Sequence, residues 1–364
     1  PNPNLKWEQT AQTNIGWDLG FFDGRLNIGG DFYYKKTTDL FTNVDVSPIN
    51  GITSYIMNNG DMLNKGFSIS LNGYPVKTKN FRWYMSTYYS VNLNKVQTDD
   101  ARNYNLNDYL NGTAVVSGQP ISTFYSYKFL GLNPQNGAPM FDDWEDRWHL
   151  LQGKTLDEVV PMILVNSGTR DPKFSGDLNN TFTYKNWSLS LNFSYSLGSK
   201  VRLFEMYGPI INGISAAANV REEFLDRWQV PGDEKYTVYP LIISPSSPDY
   251  EHYRLHYSAP QRAVGPNSGV PAFANNVWQM YDDSDLRVVS GNYLKLQSLS
   301  FSYRLNDRLL RKTPFTQLSI SFNTHNCFTI SAKELRGQDP SQAGFADAGL
   351  SIRPSYTIGL NVSF

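Results

Sequence analysis

The sequence is poor in several features on which soluble enzymes and nucleic-acid-binding proteins depend. A single cysteine, Cys327, occurs in 364 residues, which excludes an internal disulfide and any multi-cysteine metal site. Lys and Arg total 32 against 33 Asp and Glu, so the basic footprint of a nucleic-acid-binding protein is absent. No stretch near 20 apolar residues occurs, and no membrane-spanning helix is predicted.

Catalytic motifs are also missing, since there is no Walker loop, GxGxxG, HExxH or GxSxG. His252 and His256 have the i, i+4 spacing of a helical metal site, but Pro and Tyr residues surround them, which favours a solvated loop. Three acidic groups offer oxygen ligands for Ca²⁺ or carboxylates for glycoside hydrolysis, with loop solvation again favoured: Asp99/Asp100, Asp142/Asp143 and Asp282/Asp283/Asp285. We therefore expect no catalytic residue, no metal ligand, no cofactor and no enzymatic activity.

What the sequence does have is aromatic residues and strict alternation. Aromatics make up 14% of the chain, whereas charged residues reach only 18%, below the roughly 25% of ordinary soluble domains. Residues 187–197 are apolar at every odd position and Ser or Asn at every even one, which is typical of a strand with two different faces. Nine such strands are predicted: 15–21, 26–34, 67–72, 81–93, 174–184, 187–197, 299–305, 318–322 and 356–364.

The connections between the predicted strands alternate between short and long. Short turns lie at residues 23–24, 75–80, 185–186 and 306–313, whereas loops of about 20, 75, 90 and 20 residues lie near 42–61, 97–173, 198–292 and 331–353. Short periplasmic turns and long extracellular loops are typical of a transmembrane antiparallel β-barrel. The sequence therefore predicts an all-β fold of this kind.

Aromatic residues also cluster at the two ends of the predicted strands. Rings near the short turns are Phe81, Trp83, Tyr184, Trp187, Phe315 and Phe364, and rings toward the long loops are Tyr34, Tyr89 and Tyr195. Aromatic girdles of this kind mark the two interfaces of an outer-membrane barrel. A soluble β-sandwich, which also alternates, is the alternative interpretation.

The two longest loops carry their own candidate features. Apolar residues at helical spacing follow a candidate N-cap at Ser215 and predict a helix: Ala217, Val220, Phe224, Leu225 and Trp228. Four aromatic residues lie among Asp, Asn and Arg and are the substrate-binding candidates: Trp144, Trp148, Trp278 and Tyr281. Flat rings contact sugar faces or peptide side chains, although packing within the loop is the simpler reading for any one ring.

Several segments together resemble the barrel of SusC/RagA-type TonB-dependent transporters. These are residues 4–10 (NLKWEQT), 14–16 (NIG), 31–40 (DFYYKKTTDL), 59–67 (NGDMLNKGF), 127–134 (YKFLGLNP), 292–296 (NYLKL) and 326–330 (NCFTI), where the family more often has Leu in place of Cys327. The resemblance covers nearly the whole chain. The sequence departs from the family in lacking its N-terminal half, because no TonB box, plug domain or early strands are present.

The resemblance implies an active importer in the outer membrane of a Gram-negative cell. Its substrates would be oligosaccharides or oligopeptides, its partner a SusD-like surface lipoprotein that acts as a lid, and its energy source the TonB complex, reached through the missing N-terminal segments. The barrel would also contact the lipid bilayer and lipopolysaccharide, and no nucleic acid. A passive porin-like channel and a soluble β-rich glycan-binding protein are the alternative functions.

The strand count has a further implication. Nine strands counted back from a periplasmic C-terminus place residue 1 outside the cell, and a closed single-chain barrel needs an even number of strands. We therefore expect residues 1–364 to be the C-terminal part of a barrel of about 22 strands, with about 13 strands and the plug upstream. That N-terminal part of the same barrel would then be a further partner of this chain.

Overall fold

The computed structural model describes residues 3–45, 49, 51–52, 54–98, 104–142, 144, 147–151, 153–154, 156–210, 220–242, 263–264, 270–271, 277–342 and 353–364. Nine long strands among them form one antiparallel sheet in which each strand pairs with the next along the sequence. The strands are β1 (Gln9–Phe21), β2 (Leu26–Thr38), β3 (Asp61–Lys77), β4 (Phe81–Gln97), β5 (Phe174–Tyr184), β6 (Trp187–Leu197), β7 (Tyr293–Arg304), β8 (Gln317–Ser331) and β9 (Ser355–Ser363). The predicted nine strands are confirmed. The sandwich alternative is wrong, because all nine belong to one sheet.

The remaining elements lie in the connections. The helices are α1 (Leu106–Asn111), α2 (Leu156–Ile163), α3 (Val277–Asp282) and α4 (Asp307–Leu310). Short strand pairs are Phe41–Asp45 with Ser54–Asn58, Thr123–Tyr127 with Leu164–Thr169, Gly131–Leu132 with Pro139–Met140, Lys200–Arg202 with Val288–Ser290, and Ala263–Val264 with Val270–Pro271. Single 3-10 turns are Trp148–Leu150, Gly208–Ile210, Glu222–Asp226, Asp233–Lys235, Asp285–Arg287, Lys333–Leu335 and Pro340–Gln342. None of the described helices is long and apolar enough to cross a bilayer.

One face of the sheet is apolar and bears aromatic rings at two heights. Leu189 of β6 pairs with Phe182 of β5 and Phe301 of β7, so alternate residues of adjacent strands share this face. Toward the short turns, Trp83 stacks on Phe182 and Trp187 on Phe301, with ring centroids 5.7 and 5.2 Å apart. Toward the long loops, Tyr89 stacks on Phe174 at 6.0 Å. The two bands match the interfacial girdles that the sequence predicts.

The opposite face is polar and bonded across the strands. Ser300 donates to Asn323 at 2.7 Å, Gln297 donates to Ser194 at 2.7 Å, and the Thr181 and Ser190 hydroxyls lie 3.1 Å apart. Short side chains that satisfy one another's hydrogen bonds in this way form a polar wall that water can wet.

Two glycines of the sheet are covered by tyrosine rings from a neighbouring strand. Tyr33 lies over Gly66 and donates to Asn92 at 2.7 Å, and a Cβ at Gly66 would come within 2.7 Å of the Tyr33 hydroxyl. Tyr195 covers Gly176 in the same manner on the apolar face. Each glycine therefore provides the space for a ring that fixes strand register.

Candidate functional site

The two longest loops fold together into one assembly. Loop A (residues 98–173) joins β4 to β5, and loop B (residues 198–292) joins β6 to β7. Their buried apolar residues form one cluster, with members including Leu106, Tyr109, Tyr127, Phe141, Val159, Val160 and Ile163 of loop A, and Met206, Tyr207, Phe224, Val277, Trp278, Met280 and Tyr281 of loop B. Neither loop is a plain linker, because each supplies part of the other's core.

The local structure of loop A follows from its capping residues. Asn105 caps α1 by accepting from the Asp108 amide at 3.2 Å, and the Asp108 carboxylate accepts from the Asn105 amide at 2.8 Å. Gly112 ends the helix with a φ of 66°, a conformation that glycine adopts without strain. The capping box and the glycine together fix a short helix that presents Leu106, Tyr109 and Leu110 to the core.

Asp282 is the polar centre of the assembly. Its carboxylate accepts from the amides of Met206, Tyr207 and Gly208 at 2.9, 2.8 and 2.8 Å. Burial raises the pKa of Asp282 to about 6, against the Arg287 charge and these three amides, which lower it. The carboxylate thereby ties α3 to the segment of loop B that leads into the 3-10 turn Gly208–Ile210.

The next two acids tie loop B to loop A. Asp283 pairs with Arg202, whose guanidinium also donates to the Tyr125 carbonyl at 2.6 Å and to the Ser126 hydroxyl at 3.0 Å. Asp285 accepts from Lys128 at 2.9 Å and from the Phe129 amide at 3.0 Å. Each acid of this candidate group therefore has protein partners. The favoured alternative, loop solvation, is wrong for Asp282, which is 2% exposed.

Loop C (residues 332–354, between β8 and β9) is fastened to the same assembly. Gln338 accepts from the Phe204 amide and donates to the Arg202 carbonyl, both at 3.0 Å. Lys295 of β7 reaches Asp339 at 3.0 Å, and these side chains are only 4% and 9% exposed. Burial alone would raise the pKa of Asp339, but hydrogen bonds from Ser341 and Lys295 lower it. A buried ion pair thus holds loop C against the sheet.

The predicted substrate-binding aromatics are mostly covered by protein. Trp278 and Tyr281 are 1% and 0% exposed, and the Trp278 indole donates to the Leu241 carbonyl at 3.1 Å. Trp144 is 6% exposed and lies under the Arg147 guanidinium, 4.3 Å from the ring centroid. Trp148 begins a 3-10 turn. The structure brings three of the four into one core, and contact with substrate stays a prediction.

Other sequence predictions for the loops have mixed outcomes. The predicted helix after Ser215 is a single 3-10 turn, Glu222–Asp226, in its described part, while Ser215 and Ala217 lie outside the described residues. Phe224 and Trp228 are buried as expected, but Leu225 is 73% exposed. Asp142 pairs with Arg147 at 2.5 Å. The remaining metal candidates, Asp99, Asp100, Asp143, His252 and His256, lie outside the described residues.

A segment of loop B, residues 220–242, is ordered by its own hydrogen bonds. Asp233 accepts from the Gln229 and Val230 amides at 2.9 and 3.0 Å, and the Trp228 amide donates to the Tyr239 carbonyl at 2.9 Å. This exposed segment of loop B nevertheless presents large apolar side chains to solvent: Leu225 (73%), Val230 (58%) and Tyr236 (90%). Exposed apolar groups on an ordered loop are typical of protein-binding surfaces.

The structure also contains functional residues that sequence reasoning missed. Arg202 joins loop B to loop A, Lys295 and Gln338 hold loop C, and Arg287 bonds to the Phe204 carbonyl within loop B. None of the four belongs to a recognisable catalytic or metal-binding motif. Only Lys295 had a signal, because it lies in the NYLKL segment that carries the family resemblance.

A sheet with one apolar, ring-banded face and one polar face, short turns at one end and folded loops at the other, defines the wall of an outer-membrane β-barrel. The chain belongs to the TonB-dependent receptor family: residues 1–221 match the family model described as TonB dependent receptor-like, beta-barrel. It is therefore a protein of the bacterial outer membrane, in a family of receptors and transporters.

Individual relatives agree with this assignment. TonB-dependent receptor P3 of Formosa agariphila is 25% identical over 392 residues, covering 100% of this chain and 35% of the relative. TonB-dependent receptor SusC of Bacteroides thetaiotaomicron is 30% identical over 224 residues, covering 58% of this chain and 21% of the relative. The solved RagAB peptide transporter has the same fold, with a TM-score of 0.70 at 22% identity, covering 100% of this chain and 36% of that one. The chain spans about a third of the length of P3 and of the RagAB chain.

Proposed function

We propose that the chain is the C-terminal part of the barrel of an outer-membrane active importer, whose plug and remaining strands lie in the rest of the same protein. The importer takes up oligosaccharides or oligopeptides with energy from the TonB complex, under a SusD-like surface lipoprotein, and has no enzymatic role. The observation that carries the proposal is the single two-faced sheet with loops A and B folded together at one end.

Three findings support the individual parts. The family is that of TonB-dependent receptors, which supports energy coupling. The SusC relative and the RagAB peptide transporter support a nutrient substrate and a lipoprotein partner. The bonded polar face supports a hydrated path, because Ser, Thr and Asn bind transient hydroxyl and amide groups without holding a fixed charge.

We propose that the lipoprotein docks on the exposed segment of loop B. Leu225 and Tyr236 are its most exposed large side chains, and aromatic anchors on an ordered loop dominate many protein interfaces. A stable lid would bury at least the roughly 1,200–2,000 Å² of ordinary complexes, more than these residues supply alone. Neighbouring parts of loops A and B would then complete the interface.

Pull-down of the tagged full-length protein tests the lid. We expect the double variant Leu225→Glu/Tyr236→Glu to lose the copurifying lipoprotein and to reduce uptake. Leu309→Glu is the matched control, because Leu309 is 45% exposed in the short turn at the opposite end of the sheet. Shortening residues 198–292 to a tight turn should likewise leave an inserted barrel without a lid. Full lipoprotein yield and normal uptake in both would refute docking on loop B.

Energy dependence separates the active importer from a passive porin-like channel. Cells should accumulate a labelled substrate against its gradient, and a protonophore or loss of TonB should abolish this accumulation. Uptake that equilibrates and ignores the protonophore would support the channel. Competition by pools of oligosaccharides and of oligopeptides would identify the substrate class.

A further inference from the structure

A cavity of about 400 Å³ lies between loop B and loop C. Its volume is within the range of small-ligand sites. Its apolar wall comes from Leu203, Val238, Leu286 and Val289, and its rim from Lys333, Glu334 and Arg336. Residues 220–242, on which the lid is proposed to dock, supply Val238 and Tyr239 to the lining of this loop-C cavity.

The rim of the loop-C cavity is held in place by buried neighbours. Leu335 is 1% exposed and packs with Val201 and Leu203, while Gln338 makes two hydrogen bonds to the loop B backbone. Arg336 follows with a φ of 43°, a left-handed conformation that is uncommon for arginine. The backbone that carries the rim cations is therefore fixed before any ligand arrives, which reduces the entropy cost of binding.

The rim of the loop-C cavity favours an anion. Lys333 and Arg336 lie there beside one carboxylate, Glu334, whereas the charge of the buried Arg287 is already offset by Asp282 and Glu223. Arg336 approaches Asp226 at 4.0 Å, but these side chains are 37% and 65% exposed, so their attraction is weak and a ligand can replace it.

We propose that the loop-C cavity binds a small ligand that carries one carboxylate on an apolar or ring-shaped body. The anion would lie at Lys333 and Arg336, where a guanidinium matches two oxygens at once, and the body would lie against Leu203, Leu286 and Val289. The inference rests on the proposed function only for the source of the ligand, which would be the acidic end of an imported oligomer.

Calorimetric titration of the full-length protein in detergent tests the site directly. The probes are N-acetyl-dileucine against its C-terminal amide, and a glucuronate-terminated disaccharide against its methyl ester. We expect at least one acid to bind about tenfold to a hundredfold more tightly than its neutral partner, because a hydrogen bond to a charged group accounts for that range. Which acid binds identifies the source as peptide or glycan.

The rim residues supply the matched variants. Lys333→Gln/Arg336→Gln should remove the preference for the acid, whereas Lys312→Gln, which alters an exposed lysine in the short turn at the other end of the sheet, should keep it. Equal affinity for acid and neutral probes, no binding of either acid, or unchanged affinity in the double variant would overturn the proposal. Acid-selective binding by the protein, together with no uptake of oligosaccharides or oligopeptides by cells that make it, would support the cavity and refute only the proposed import function.

Discussion

Leu191 of β6 gives the sharpest test of which face meets lipid. It lies on the apolar face four residues beyond Trp187, which is about 14 Å along the strand and about 10 Å along the membrane normal once strand tilt is included. That height is close to the middle of an apolar band about 25 Å tall, where arginine on the lipid face costs about 2–4 kcal/mol. Asn180, which pairs with Leu191 from β5, would not stabilise an arginine there, because its side-chain carbonyl already accepts from the Trp83 indole at 3.0 Å.

Asn192, the next residue, is the matched control. It pairs with Asn179 and Ser298 on the polar face, so an arginine there remains hydrated and should cost about 0.5 kcal/mol or less. Leu191→Met, which keeps volume and polarity, separates charge from packing. Equilibrium unfolding in urea from lipid vesicles measures all three variants. Equal losses for Leu191→Arg and Asn192→Arg would refute the assignment of the two faces.

Three further predictions concern the ends of the sheet and the loops. Replacing Phe364, whose ring centroid lies 5.2 Å from that of Phe315, with Ala should lower barrel abundance on immunoblots more than replacing an exposed loop residue does, because it removes a ring from the aromatic band near the short turns; equal abundance would contradict this. Lys295→Met leaves Asp339 buried without its cation and should destabilise loop C by about 3 kcal/mol, measured as a loss of amide-exchange protection. The double variant Lys295→Met/Asp339→Leu should recover most of the lost stability. Burial raises the Asp282 pKa above its unfolded value to about 6, so the ionised carboxylate costs stability above that pH and amide protection of the loop core should increase from pH 7 to 5. Asp282→Asn should reduce that dependence, the remainder coming from Asp283, whose pKa burial also raises; an unchanged profile would contradict this.

The strands were predictable because their signal is local. Alternation is visible within a few residues, and a slip of one residue would turn every side chain to the wrong face. The sequence nevertheless predicts β7 only from Leu299, whereas the strand begins at Tyr293. A bulge between Leu296 and Ser298 shifts the parity, so apolar residues change from even to odd positions and the pattern is interrupted.

The loop assembly was not predictable, because its contacts join distant parts of the chain. Lys128 and Asp285 are 157 residues apart, and no spacing rule connects them. Composition was equally ambiguous, since Trp278 and Tyr281 look the same in sequence whether they bind a sugar or fill a core. Burial alone distinguishes these roles, and it is set by tertiary packing.

The shared core of loops A and B has a consequence for biogenesis. Between Lys128 and Asp285 the chain passes through β5 and β6, so the core can close only after that hairpin has been placed in the sheet and both loops have reached the same side of the membrane. Until then about twenty buried apolar side chains are exposed to water or to chaperones. A closed core on the cell surface would thus indicate that the strands beneath it have been inserted in the correct order.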